Sequence, residues 1–370
     1  MPTLRQFAKK AFHAGIYEGQ DVLVDVDDVD LISLQPGRGF EHRDKWFRKL
    51  LFRDPTSTFT LRNPGLCKVK LTREYDLFLA VCQNYWDLIY VNAVDGWKDK
   101  CRVSACWIDE MWIADLPEVK ILRDALDRFD YLFLSCRGTV EPLSKALGRQ
   151  CYWLPGAVDT ARFSPYPNPP ERVIDVYSIG RRWEGIHNVL REATSQDFFY
   201  LHDTFLGMAK MDPQNHRHHR DLLANVAKRS RCFSVAPGKM DRPDETEDQV
   251  EIGLRYYEGS AAGTVMIGQA PKCLAFEERF PWPDVVIPLN PDGSDTISVL
   301  NQLRSEPERM AEIGHRNATE ALLRHDWVYR WEELLRTVGL SPAPAMVARQ
   351  QKLMELSAEG AEISKQVRCL

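Results

Sequence analysis

The sequence predicts an α/β protein made of two doubly wound domains that face each other across a cleft. Short apolar runs alternate with longer amphipathic runs, which is the pattern of a parallel sheet covered by helices. The alternation occurs twice, before and after a proline-rich passage, FSPYPNPPERV at 163–173. The length of 370 residues allows each of two domains its own core. In such sheets ligands bind beyond the carboxyl ends of the strands, so we expect the functional site in the cleft.

The composition is typical of a globular protein in a reducing compartment. The chain is 44% hydrophobic and 27% charged, and its nine cysteines are scattered without a CxxC pair. No apolar run approaches the roughly 20 residues that span a membrane, and the N-terminus lacks the apolar core of a signal peptide. We therefore expect a cytoplasmic protein. A net charge of −5 is interpreted as evidence against a nucleic-acid partner.

The first domain is expected to span 1–165. Its predicted strands lie at 30–35, 87–92, 102–108, 130–135 and 150–155. Thr72 is predicted to cap a helix that runs to Trp86, and Thr139 a shorter helix that ends at Gly148. The segment AGIYEGQD at 14–21 is interpreted as a turn, with a glycine loop near an acceptor as the alternative.

The second domain is expected to span 166–340, followed by a helical extension at 341–370. Its predicted strands lie at 175–180, 198–202, 231–237, 264–268 and 284–289, and its helices begin near Glu184, near 217 and near Gln249. The histidine-rich stretch HRHHR at 216–220 suggests a metal site. Because adjacent helical residues point in different directions, we favour a solvated helix start instead, and we predict no metal site.

The segment RYYEGSAAGTVMIG at 255–268 is the most informative. On the predicted helix, Glu251, Arg255, Glu258 and Ala262 fall on one stripe, which a solvated Glu–Arg pair would also explain. However, the small residues after Glu258 allow a ligand to approach the backbone, and Gly263 suits a left-handed cap before a buried strand. A carboxylate can accept two hydrogen bonds from a ribose diol, and the free N–H groups of a helix start can hold a phosphate.

Four stretches resemble one enzyme family in order. YEGSAAGTVMIG is similar to the nucleotide-binding segment of GT-B glycosyltransferases of the "group 1" kind, related to the family-four retaining enzymes. The other three stretches are LPGAVDTARFSP at 154–165, which resembles the crossing between the two domains, DVYSIGRR at 175–182, which resembles the first strand of the second domain, and IGHRNATEALLRHDWVYRWEELL at 313–335, which resembles the terminal helical region. The resemblance implies a GT-B fold with two Rossmann-like domains.

The resemblance also implies roles for individual residues. Glu258 would bind the ribose hydroxyls, and Arg181 or Arg182, after Gly180, would bind the donor diphosphate. The remaining residues of the implied donor site are Val250, whose following backbone would lie near the phosphates, Glu251, Gly253 and Arg255. A guanidinium can stabilise a departing nucleoside diphosphate without a metal, so no cofactor is expected beyond the nucleotide-sugar donor itself.

The sequence departs from the family pattern at three places. The glutamate expected eight residues before Glu258 is replaced by Val250, with Glu251 one place out of register. The lysine expected after Gly-Arg is missing. The His-Asp expected in the first domain appears as Ile-Asp, with Asp109 in CWIDEMW. For Asp109 we favour a helix or loop cap, and as a catalytic candidate it would orient the acceptor or act as a base.

The predicted function is transfer of a sugar from a nucleoside-diphosphate donor to a glycan, small-molecule, protein or lipid acceptor, with retention of configuration. The alternatives are a sugar-nucleotide epimerase and a non-catalytic nucleotide-sugar-binding or scaffold protein. Fold alone does not separate these functions.

The segment HRDKWFRKLLFRD at 42–54 suggests a peripheral membrane contact. Trp46, Phe47, Leu50 and Leu51 form one face of a helix that basic residues flank. Packing of that face on the first-domain sheet would give the same pattern, and we favour it.

Overall fold

The computed structural model describes residues 1–8, 10–53, 58–204 and 216–368. The strands are β1 (Pro2–Thr3), β2 (Ile32–Ser33), β3 (Val69–Lys70), β4 (Tyr75–Asn84), β5 (Val94–Asp95), β6 (Cys101–Glu110), β7 (Tyr131–Leu134), β8 (Tyr152–Trp153), β9 (Ile174–Ser178), β10 (Tyr200–His202), β11 (Ser230–Val235), β12 (Val265–Gly268) and β13 (Ile287–Pro288). The α-helices are α1 (Ala14–Val26), α2 (Phe40–Arg53), α3 (Trp97–Lys100), α4 (Val119–Leu126), α5 (Arg137–Leu147), α6 (Thr160–Phe163), α7 (Glu184–Ala193), α8 (His216–Lys228), α9 (Pro243–Thr246), α10 (Leu254–Ala261), α11 (Leu274–Arg279), α12 (Thr296–Ser305), α13 (Pro307–Arg324), α14 (Trp327–Thr337) and α15 (Pro344–Arg368). Short 3-10 helices lie at Ala11–His13, Thr58–Leu61, Tyr85–Ala93 and Ile113–Glu118.

The first large sheet is parallel and has the order β4-β6-β7-β8. Its strands are buried on both faces, which explains why they are continuous apolar runs such as LFLAVC rather than alternating ones. Two short parallel pairs, β1-β2 and β3-β5, accompany it. The carboxyl ends of β4, β6 and β7 therefore present their following loops at one edge of the domain.

The structure contradicts the predicted helix from Thr72 to Trp86 and the predicted strand at 87–92. The first segment forms β4, and the second forms the 3-10 helix Tyr85–Ala93. The side chain of Asn84 accepts a hydrogen bond from the backbone of Trp86 at 3.0 Å, while Asp87 accepts from the backbone of Gln83 at 2.9 Å. These side chains end the strand and begin the helix, because they satisfy backbone donors that the sheet ladder leaves free.

The second large sheet is also parallel and has the order β10-β9-β11-β12-β13. The chain passes from β9 to β10 in one direction and then returns to place β11 on the other side of β9. The order therefore reverses between β9 and β11. At such a switch point the loops after the two strands diverge and leave a crevice, where ligands bind in open α/β sheets.

The segment at 14–21, predicted as a turn or loop, is the first half of α1 and is buried throughout. A Cβ on Gly15 would lie 2.8 Å from a methyl carbon of Leu254, and one on Gly19 would lie 2.8 Å from the Trp327 ring. The glycines of α1 therefore allow close packing against the second domain and against α14, rather than a turn.

The C-terminal helices return to the first domain. Trp327 and Trp331 stack on each other and pack edge-on against Trp107 of β6, in one cluster that also contains Met346 and Leu353 of α15. The predicted boundaries assign α14 to the second domain, yet its apolar face covers the first sheet. The domain limits themselves stay a prediction.

Helix α2 covers the membrane-contact segment as far as Arg53; residue 54 lies outside the described residues. Leu51 is buried and Phe47 packs on the first-domain core, whereas Trp46 is 66% exposed. The apolar face therefore packs mainly inward. Within the described ranges no helix has the length and hydropathy to cross a bilayer.

Candidate functional site

The loop after β9 forms one wall of the switch-point crevice. Gly180 has a φ of 75°, a left-handed conformation that favours glycine, and it turns the chain so that Arg181 and Arg182 follow at once. Arg182 pairs with Asp203, whose carboxylate also accepts from the backbone N–H of Gly180 at 3.2 Å. Arg181 is exposed and reaches Asp241, with 2.8 Å between Nε and the carboxylate. The two guanidiniums are thus fixed on either side of the turn.

The loop after β11 forms the opposite wall and contributes Lys239. Lys239 has a φ of 48°, a left-handed conformation that is uncommon for a residue with a Cβ. Its Nζ lies 3.3 Å from Glu245 and 4.0 Å from Glu110 of the first domain, and it sits 5.3 Å from the Trp112 ring centroid. Lys239 therefore faces across the cleft.

The start of α10 points toward the same place. The helix begins at Leu254 rather than near Gln249, so Glu251 lies in the preceding loop and not on the predicted stripe. A Cβ on Gly253 would lie 3.0 Å from the carbonyl oxygen of Ala236, so glycine lets the helix start approach the end of β11 closely. Arg255 in the first turn projects its Nη2 to 3.7 Å from where a Cβ on Gly180 would stand.

Glu258 is 0% exposed, and both of its carboxylate oxygens are engaged. One accepts from Arg220 of α8 and the other from Arg255. Burial favours the neutral acid, but Arg255 and Arg220 outweigh it and hold the pKa of Glu258 below its ordinary value. In this arrangement the carboxylate points neither to bulk solvent nor freely into the cleft.

Arg220 connects Glu258 to the first domain. Its Nε and Nη2 donate to the two oxygens of Glu18 in α1, at 3.0 and 2.9 Å, and all three side chains are buried. This is a bidentate pair of the kind that guanidinium favours. Burial would lower the pKa of Arg220, but Glu18 and Glu258 raise it above its ordinary value.

The prediction of a solvated helix start at 216–220 is correct only in part, since α8 begins at His216 and Arg217 is exposed, but other residues of the stretch are buried. His216 is buried with Nε2 2.8 Å from Asp21, and Arg220 carries the Glu18–Glu258 connection. The histidine-rich stretch is the first turn of α8, which packs against α1 of the other domain. Its polar residues are used for pairing across the domain interface.

The loop before α10 is bonded to the first domain. Glu251 accepts from the backbone N–H of Gly138 at 2.8 Å and from Gln249 at 2.6 Å. Gln249 accepts from the backbone N–H of Ile113 at 2.7 Å. Val250 between them is partly exposed. The implied donor loop is thus anchored to the ends of β6 and β7.

Asp109 lies near the carboxyl end of β6, on the first-domain side of the cleft. Its carboxylate accepts a hydrogen bond from the side-chain amide of Gln83 at 2.9 Å, and its carbonyl accepts from Ser135. Burial, reinforced by the neighbouring Glu110 charge, raises the pKa of Asp109 to about 7. A carboxyl group with such a pKa can take up or release a proton near neutral pH. The favoured cap role finds no support in the described part of the chain, where the Asp109 carboxylate accepts from Gln83 rather than from a helix N-terminus.

The structure thus brings only some of the predicted site residues together. Gly180, Arg181, Arg182, Gly253 and Arg255 converge on the switch point, Glu251 ties the domains together, and Glu258 lies beneath Arg255. The sequence interpretation missed Lys239, Arg220 and Glu18. Lys239 had a usable signal, since Pro-Gly-Lys directly follows a buried strand and must lie at its carboxyl end; the Glu18–Arg220 pairing, 202 residues apart, had none.

Comparison with known proteins places these features in a family context. Residues 174–336 match a family model described as "Glycosyl transferase-like". The chain is similar in structure to an alpha-glucosyltransferase in complex with UDP and a 13-mer DNA containing an HMU base, with a TM-score of 0.53 and 10% identity over 91% of this chain and 98% of that one. A complex of alpha-glucosyltransferase with UDP-glucose and DNA containing an abasic site gives a TM-score of 0.51 at the same identity and coverage. No curated protein sequence matches the chain.

The expected fold, two Rossmann-like domains in the GT-B arrangement, is confirmed by these structures. The expectation of no nucleic-acid partner is contradicted, because the alpha-glucosyltransferase structures to which the chain is similar hold UDP or UDP-glucose together with DNA. A net charge of −5 is a sum over the whole chain. It does not report how lysine and arginine are distributed over the surface, so it was not a sound basis for the exclusion.

Proposed function

We propose that this chain, a GT-B glycosyltransferase in its fold and in the family model of its second domain, transfers a sugar from a nucleoside-diphosphate donor held at the β9/β11 switch point. The observation that carries the proposal is the convergence of the Gly180 turn, Arg181 and Lys239 at the crevice where the strand order reverses. These groups suit a diphosphate, since guanidinium and ammonium groups are strong donors to phosphate oxygens.

Lys239 takes the part of the lysine that is missing after Gly-Arg. Lys239 and Arg181 both act electrostatically on Glu110 of the first domain, so the charges from both walls reach the space between the domains. As the donor bond breaks, the departing diphosphate gathers negative charge, and fixed cations beside it lower the barrier. With Arg182 and Arg255 nearby, we infer that the reaction needs no metal ion.

Asp109 is proposed to orient the acceptor hydroxyl from the first domain. Its pKa of about 7 lets it accept a hydrogen bond or a proton from that hydroxyl near neutral pH. The hydrogen bond from Gln83 fixes the carboxylate in one orientation. We infer retention of configuration from the family resemblance, with the leaving diphosphate assisting deprotonation of the acceptor.

The ribose contact proposed for Glu258 requires a rearrangement. Because Arg220 and Arg255 occupy both carboxylate oxygens, Arg255 must release one of them when the donor arrives. Arg255 is partly exposed and lies beside the Gly180 turn, so it can exchange Glu258 for a phosphate oxygen. Arg220 is buried and stays with Glu18.

A second candidate is nucleotide-sugar binding without transfer. The engaged state of Glu258 and the presence of Val250 where the family has a glutamate favour it. A sugar-nucleotide epimerase is a third candidate, which would need no acceptor.

A donor screen separates these candidates. Thermal shift with UDP, GDP, ADP and CDP identifies the base, and UDP-glucose is the first sugar donor to test because the structural neighbours bind it. Consumption of the donor is then followed with saccharide, protein, lipid and DNA acceptors. Transfer predicts a glycosylated product, and epimerisation predicts a new sugar nucleotide without any acceptor. If no nucleoside diphosphate shifts the melting temperature, the proposal fails.

A further inference from the structure

A groove of about 250 Å³ lies between α11, the end of α13 and α14. Three arginines, Arg279, Arg324 and Arg330, and two glutamates, Glu278 and Glu333, line it. It is separate from the switch-point crevice, which is built from the loops after β9 and β11. Its volume is just below the usual range of small-molecule sites, so it suits a compact ligand rather than a whole nucleotide.

Arg330 is the unusual member of this groove, since it is 2% exposed and lacks a counter-ion. Among the described residues no carboxylate lies within 4.0 Å of its guanidinium, whereas Arg220, equally buried, has two. Arg330 donates only to carbonyls, from Nε to Gly156 at 3.4 Å and from Nη2 to Arg324 at 3.2 Å. Burial, with the neighbouring Arg279 charge, lowers the pKa of Arg330 to about 10. An uncompensated buried charge is strongly unfavourable, so an anion at this position would stabilise the protein.

The two acidic groups of the groove already have arginine partners other than Arg330. Glu278 pairs with Arg137, and Glu333 lies 3.7 Å from Arg279. The Arg279 guanidinium is held 4.6 Å from the centroid of the Trp153 ring, which fixes its position at the groove. The positive charge of Arg330 is therefore left without a partner beside a second, oriented guanidinium.

Buried polar atoms nearby also lack partners. Both ring nitrogens of His325 and the hydroxyl of Tyr257 make no hydrogen bond within the described chain. The two rings are 5.1 Å apart, and the charges of Arg330 and Arg279 act on both side chains. Clusters of unsatisfied polar groups are rare in folded proteins and are found where a ligand or ion completes the site.

We propose that this groove binds a small phosphate-bearing molecule through Arg330 and Arg279. The planar guanidinium fork matches phosphate oxygens, and a phosphate can accept from two guanidiniums at once. Because Arg330 also bonds to Gly156 in the segment that leads from β8 to the second domain, an occupied groove would stiffen the connection between the domains. The bound molecule would thus favour one relative orientation of the domains.

The test uses the full chain and inorganic phosphate at constant ionic strength, with melting temperature and calorimetry as readouts. We expect a saturable rise in melting temperature for the native chain and at least tenfold weaker phosphate binding in Arg330→Met and Arg279→Met. Arg336→Met is the matched control, since Arg336 lies on the same helix but is exposed and pairs with Glu332. If Arg330→Met does not fold, phosphate binding by Arg279→Met alone tests the proposal. A hexose phosphate and acetate are compared in parallel.

Three results would overturn the proposal. One is the absence of saturable phosphate binding by the native chain. Another is equal binding by the native chain and both arginine variants, or acetate binding as tight as phosphate. The third is loss of phosphate binding in Arg181→Met, because phosphate would then occupy the donor site. Phosphate binding that survives in Arg181→Met while UDP binding is lost supports two separate sites.

Discussion

Two groups of arginine and carboxylate side chains lie at the domain interface, and they differ in burial and in pairing. In the buried group, Glu18, Arg220 and Glu258 are inaccessible, and Arg220 grips Glu18 with two hydrogen bonds of 3.0 and 2.9 Å. In the cleft group, Arg181 is half-exposed and Lys239 lies as far as 4.0 Å from Glu110. In the buried group each Glu258 oxygen already has an arginine partner, so a ligand must displace one of them, whereas Arg181 of the cleft group is accessible. Both groups contain charged side chains, so residue type does not distinguish them. Burial and pairing do distinguish side chains that hold the domain interface together from side chains that can bind a ligand.

The largest expected effect is on the buried group. Arg220→Met leaves Glu18 and Glu258 buried without their shared counter-ion, so we expect a loss of about 3 to 5 kcal/mol in the free energy of unfolding. Urea denaturation measures it. Arg217→Met, on the same helix but exposed, should cost less than about 1 kcal/mol. Equal losses of unfolding free energy in Arg220→Met and Arg217→Met would contradict a special contribution of the buried group.

In the cleft group, the effect should be on binding rather than folding. Lys239→Met removes one charged contact to the donor diphosphate, so we expect roughly 10- to 100-fold weaker binding of the nucleoside diphosphate, from about 1.5 to 3 kcal/mol. Stability should hardly change. Arg191→Met, an exposed arginine on α7, is the control. Calorimetric titration with the nucleoside diphosphate that the screen identifies measures this affinity. An affinity that is unchanged in Lys239→Met would contradict a contact between Lys239 and the donor.

Glu258 belongs to the buried group but borders the cleft, so we expect its substitution to change both stability and nucleotide affinity. Glu258→Gln should lower the free energy of unfolding and the affinity for the nucleoside diphosphate by about 1 to 3 kcal/mol each. Urea denaturation measures the first change and calorimetry measures the second, both on the same preparation. Lower stability with unchanged affinity would assign Glu258 to the interface alone and end its ribose role.

The role of Asp109, on the first-domain side of the cleft, can be tested through the pH dependence of stability and activity. Burial raises the folded-state pKa from 3.8 to about 7, so between these values the folded protein binds more protons than the unfolded chain. The stability that the protonated group contributes is present below the lower value and is lost as pH rises through about 7. Relative to Asp109→Asn, the native chain should therefore become less stable from pH 4 to 8. Transfer activity should rise over the upper part of the same range and be lost in the variant. A stability difference independent of pH would contradict the raised pKa.

The smallest effect is expected at Trp46, outside both groups. Because its side chain is 66% exposed, Trp46→Ala should change the free energy of unfolding by less than about 0.5 kcal/mol. Sedimentation with anionic vesicles tests the alternative that α2 contacts a membrane. Vesicle binding by the native chain that the substitution abolishes would support that contact.

The sequence predicted the features that depend on local chemistry. The strand that precedes Arg181, the strand at Asp109 and the left-handed Gly263 before β12 follow from residue type and order, and the structure has them. It misassigned 72–92, because a strand buried on both faces has no period-2 pattern and its apolar run resembles a buried helix. It also missed Lys239, although Pro-Gly-Lys at the end of a strand was a usable local signal. The burial of 14–21, His216 and Arg220 was missed for another reason. It depends on contacts between domains far apart in the sequence, which no local pattern encodes.

The chain crosses between the domains twice, and the two crossings lie side by side. Val158, in the first crossing, pairs with Asp326, in the second, and Arg349 of α15 binds both Asp159 and Asp326. A single tether would let the second domain reorient in any direction. Two adjacent connections clamped by one arginine have the geometry of a hinge, so we expect the domains to move mainly by rotation about an axis through that clamp.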